Sequence, residues 1–100
     1  MKEHKEALAR IINERLRQIA QEEYTYVHDD EHIGGQLALL AAAYALASCP
    51  GTAVVNMVLR EIDRKLTILK WSFKPVSPMR DLERAGALIL AEMERRLRKE

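Results

Sequence analysis

The chain has 100 residues, 48% of them apolar and 31% charged, which fits one globular domain over 1–100 and excludes a disordered segment. A net charge of +1 argues against a bulk electrostatic nucleic-acid binder, and the single cysteine, Cys49, excludes an internal disulfide framework or a four-thiolate zinc site. The charged start, Met1-Lys2-Glu3-His4-Lys5-Glu6, leads into no apolar signal core, and the weakly polar run 37–47 is about half of the roughly 20 residues a membrane span needs. The expected setting is a reducing cytoplasm, away from membranes.

Residues 3–22 predict an amphipathic helix. Leu8, Ile11, Ile12, Leu16, Ile19 and Ala20 recur at helical spacing. Arg10, Glu14, Arg15, Arg17 and Gln18 fall largely elsewhere, which predicts a solvated charged face. The next helix has two possible starts. It begins at a capping residue (Thr25, Asp29 or Asp30) and runs through Gly34 and Gly35, or it begins after Gly35. From 37 to 47 the only polar side chain is Tyr44, so this helix belongs in the middle of a bundle or at a subunit interface. Cys49-Pro50-Gly51 stops it, and Cys49 itself reads as a small hydrophobe. A third helix is expected over 52–70, with Thr52 as cap and Val54, Val55, Val58, Leu59, Ile62, Leu66 and Leu69 in step. The stretch 71–78 is a linker holding the only tryptophan and the only phenylalanine, Trp71 and Phe73. Ser77-Pro78 then starts the last helix, with Leu82, Ala85, Ile89, Met93 and Leu97 as its apolar stripe. The sum is an all-α bundle of three to four helices, compact and expected to be oligomeric.

The densest chemistry lies in Tyr24-Thr25-Tyr26-Val27-His28-Asp29-Asp30-Glu31-His32. His28 and His32 are spaced i,i+4, so on a helix both would face one way. The order H-D-D-E-H is not the H-E-x-x-H zinc motif. A divalent metal held by His28, Asp29 and His32 is one reading, with Glu22, Asp81 or Glu92 as a further ligand. In that hydrolase reading Glu31 is the general base, while Lys74 and Arg80 steady a phosphate. A second reading is structural: Asp29 or Asp30 caps a helix, and Arg80 or Arg84 neutralises the remaining charge. A third is a ligand pocket without a cofactor. There Tyr24, Tyr26 and Trp71 give flat faces, His28 and His32 give donors and acceptors, and Lys74, Arg80 and the start of the last helix meet an anion.

Several segments together resemble a family of small bacteriophage and prophage proteins. They are Glu14-Arg15 with Arg17-Gln18, His28-Asp29-Asp30 with His32, Gly35-Gln36-Leu37-Ala38, Tyr44-Ala45, Lys74-Pro75, Arg80-Asp81-Leu82 and Ala87-Leu88-Ile89 with Ala91-Glu92. The family pattern reads roughly E-R-x-R-Q, E-H-D-D-x-H, G-E-L-A, W-W-K-P, R-R-D-L and A-L-I-x-A-E, and the resemblance spans nearly the whole chain. Val27 and Gln36 stand where that pattern has glutamates, which weakens any acid–base or metal role tied to them. Glu23 stands for Gly, Ser72-Phe73 departs from the aromatic pair, and Met79 stands for the first Arg. The resemblance implies a viral origin and brings no mechanism.

The expected function is therefore a small phage-type binding protein. It would sequester an anionic, nucleotide-like ligand or block a host protein, and it would pair with itself. The alternative is the metal-dependent hydrolase of nucleotides or phosphoesters.

Overall fold

The computed structural model describes residues 1–21, 35–69 and 71–99. Among these residues there are four helices and no strand: α1 (Lys2–Gln21), α2 (Gln36–Ala47), α3 (Ala53–Ile68) and α4 (Pro78–Lys99). The cluster at 24–32 lies outside the described residues.

Each described boundary has a local cause. Gly35 sits at φ 81°, left-handed backbone that glycine adopts without strain, and its carbonyl accepts the Leu39 N–H at 2.9 Å. Of the two starts open for this helix, the one after Gly35 is observed. Thr52 is extended and its hydroxyl accepts the Val55 N–H at 3.2 Å, a side-chain N-cap for α3. Pro78 opens α4, with the Asp81 N–H bonded to the Ser77 carbonyl at 2.8 Å. The buried Asp81 carboxylate reaches back and accepts the Val76 N–H at 2.9 Å. That carboxylate fills the turn offered above as an anion site, so the start of α4 does not provide one. Cys49 is exposed on the turn after α2.

α2 is the centre, as its apolar run predicts. Leu37, Leu40, Ala41, Ala43 and Tyr44 are buried, against Ala85, Leu88 and Ala91 of α4 and Leu66 of α3. α3 lies on α2 with little else beneath it; Leu66 is its one buried residue. α1 packs on α4. The linker closes the core: Trp71 and Phe73 pack against it, and Phe73 meets the Tyr44 ring edge-on with centroids 5.0 Å apart. Tyr44 lies in the C-terminal half of α2. The linker thus meets α2 along its C-terminal half. No helix among the described residues is long and apolar enough to cross a membrane.

The two long helices overturn the amphipathic expectation. On α1 the charged face is inside: Glu14, Arg15 and Gln18 are 2–3% exposed, while Leu8, Ile12 and Leu16 are about half exposed. On α4 Ala85 is buried with Asp81, Leu88 and Glu92, whereas Leu82, Ile89, Met93 and Leu97 face out. The cause is the way these helices meet. One apolar touch between them is Ile11 on Gly86, where a Cβ at Gly86 would come within 2.9 Å of Ile11. Around that point the contact is ionic. Arg80 reaches Glu14, Arg10 reaches Glu83 at 3.2 Å, and Arg15 reaches Glu94 at 2.8 Å.

Candidate functional site

The buried ionic layer begins at Glu14. Its carboxylate accepts from Arg17 at 2.8 and 2.7 Å, from Gln18 at 3.3 Å and from Arg80. Burial pushes this carboxyl up, but the arginine hydrogen bonds outweigh it and hold the group below its ordinary value. At the other end of α4, Glu92 is also held low, first by Arg95 at 2.6 Å and then, against burial, by Arg96. These carboxylates are charged at neutral pH and matched by guanidinium groups. Neither is poised as a general base near neutrality.

Beside this layer a cleft of about 480 Å3 opens between α1, α2, the linker and α4. Gln18, Leu40, Tyr44, Ser72, Lys74, Val76, Arg84 and Leu88 line it. Tyr44 sets its geometry. The phenol oxygen accepts the Lys74 backbone N–H at 3.2 Å and an Arg84 N–H at 3.1 Å. The Arg84 guanidinium carbon also stands 5.5 Å from the Tyr44 ring centroid, within cation–π range. Among the described residues two buried polar atoms have no hydrogen-bond partner: Gln18 Oε1, an acceptor, and Arg84 Nε, a donor. Buried polar atoms normally carry partners, and Gln18 and Arg84, the residues that hold these two atoms, both line the cleft.

The expected site residues divide accordingly. Tyr24, Tyr26, His28, Asp29, Glu31 and His32 lie outside the described residues. Lys74 does line the cleft. Arg80 does not; it is taken up by Glu14 and by Glu83 at 3.1 Å. Trp71 packs on the core and is not among the lining residues. Asp81 and Glu92, offered as further metal ligands, are engaged by Val76 N–H and by Arg95 and Arg96. Among the described residues no group of three or more His, Cys, Asp or Glu could hold a metal.

Sequence reasoning missed Gln18, gave Tyr44 no part in a site, and gave Arg84 only the structural part of neutralising the cluster. Tyr44 carried a signal: a lone phenol in an apolar helix must find hydrogen-bond partners when buried. Gln18 carried none, because it stood among the charges of a face taken as solvated. Compared with family models, curated proteins and solved structures, the chain matches none.

Proposed function

We propose that the chain is a non-catalytic binding protein whose cleft holds a small anionic ligand. The observation that supports this most is a cleft lined by Gln18 and Arg84, each of which carries a buried polar atom with no partner among the described residues. Arg84 would donate to an anionic oxygen of the ligand, and Lys74 at the rim adds a second positive charge. Gln18 Oε1 would accept a ligand N–H or O–H. A molecule with both an anion and a hydrogen-bond donor, such as a nucleotide, meets both needs. The cleft volume falls in the usual range of about 300–1,000 Å3 for small-molecule sites. In the setting implied by the resemblance to phage proteins, the ligand would be sequestered.

The test is native mass spectrometry of the protein purified without chelator, followed by titration with nucleoside mono- and diphosphates. A bound mass or a stoichiometric titration without turnover is expected. Arg84→Met and Gln18→Leu should each weaken it at least tenfold while the far-ultraviolet circular dichroism stays helical. Turnover of the nucleotide, or binding that survives both substitutions, would overturn the reading.

A further inference from the structure

Among the described residues the apolar core, and the partly buried apolar side chains packed on it, come from α2, α3, the linker and α4; α1 contributes none. The buried residues of α1 are Glu14, Arg15 and Gln18. Its contact with α4 includes Ile11 on Gly86 and ion pairs that cross between the helices: Arg80 with Glu14, Arg10 with Glu83 and Arg15 with Glu94. Each pair keeps one partner within reach of water, since Arg80, Arg10 and Glu94 leave 29%, 49% and 30% of their side chains exposed. Such pairs hold two helices together less firmly than apolar burial does. An element with few buried apolar contacts opens at a lower free energy than the core beside it.

α1 is also one wall of the cleft. Leu40 and Tyr44 come from α2, Ser72, Lys74 and Val76 from the linker, and Arg84 and Leu88 from α4. Gln18 alone of the lining residues comes from α1. We propose that α1 is a gate latched by these ion pairs: it opens off α4 as a unit while the apolar core stays folded, and its return brings Gln18 back to the cleft. The gate rests on the binding function proposed above. A ligand held by both Gln18 and Arg84 binds the closed form alone, so binding and closing favour each other.

Native-state hydrogen exchange, read by NMR at amides 12–18 of α1 and 40–44 of α2, tests the gate. A helix that leaves its partner loses the packing that stabilised it, so its amides exchange. In the free protein the α1 amides should exchange faster than the α2 amides by about tenfold or more. ADP at ten times its dissociation constant should slow both sets about tenfold, because an open α1 no longer holds the ligand. Glu94→Gln removes a partner of Arg15 without touching a lining residue, and should speed α1 exchange by about tenfold. With ADP bound, three results would each overturn the gate and leave the binding function standing. They are α1 amides as slow in the free protein as those of α2, ADP that slows α2 but not α1, and α1 exchange unchanged by Glu94→Gln. A chain that binds no nucleotide overturns the binding function, and the gate with it.

Discussion

Glu14→Gln separates the two accounts of α1. On a solvated face the substitution is nearly silent, within about 0.5 kcal/mol. In the structure Glu14 has a side chain 1% exposed and holds Arg17, Gln18 and Arg80 together. Removing one member of a buried ion pair costs about 3–5 kcal/mol. That figure needs a discount here, since Arg17 and Arg80 keep 26% and 29% of their side chains in water and the glutamine oxygen still accepts. The expected loss is about 2 kcal/mol, or roughly 8–15 °C in melting temperature for a domain of this size. Urea unfolding followed by circular dichroism at pH 7 measures it. The acid limb gives a second reading. Glu14 is held below the ordinary 4.5, so its contribution is complete above that pH and is lost as pH falls through the folded-state value. Wild type should therefore lose stability below about pH 4.5 more steeply than Glu14→Gln, with Glu92 acting in the same direction in both proteins. A loss under about 0.5 kcal/mol together with superimposable acid limbs would put Glu14 in solvent and refute the inside-out packing.

Gly86→Ala sets a Cβ 2.9 Å from Ile11, and overpacking of about 1–3 kcal/mol outweighs a helix-propensity gain of about 1 kcal/mol. Chemical denaturation should show a net loss near 1 kcal/mol, relieved in an Ile11→Ala background; a raised melting temperature would mean that α1 and α4 do not touch there. Tyr44→Phe strips the acceptor shared by the Lys74 N–H and Arg84, and should cost about 1–2 kcal/mol in urea unfolding. The same variant should weaken nucleotide binding, because Arg84 loses the group that orients it; unchanged stability and binding would show that the phenol organises nothing.

Helix existence was readable from the sequence, and so were most helix ends. Gly35, Thr52, Ser48 through Gly51 and Ser77-Pro78 act locally through backbone preference and capping, and local chemistry is what a sequence states directly. The centrality of α2 was readable as well, since residues 37–47 offer no polar face to turn outward. The orientation of α1 and α4 was not. A period of 3.6 finds the apolar stripe of a helix but says nothing of what the stripe faces. Leu8, Ile12 and Leu16 form a true stripe, yet Glu14, Arg15 and Gln18 are the buried residues, because α4 presents Arg80 and Glu94 to them. Such pairing joins residues 66 to 79 positions apart and leaves no periodic trace.

Gln18 joins the ionic layer to the cleft. Its amide nitrogen donates to Glu14, which is held by Arg17 and Arg80, while its oxygen is buried without a partner among the described residues. The orientation of that oxygen is fixed by the bond on the other side of the same amide: with Nε2 committed to the carboxylate, Oε1 must face away from it. Tyr44 does the same for Arg84 from the opposite wall, taking one guanidinium N–H and leaving Nε–H directed elsewhere. Each of these two atoms is thus the unused part of a side chain whose other end is anchored in packed structure. A buried charge network is a poor source of stability compared with an apolar core. Between α1 and α4 it does something an apolar contact would not: it fixes the orientation of Gln18, on which the binding function proposed above depends.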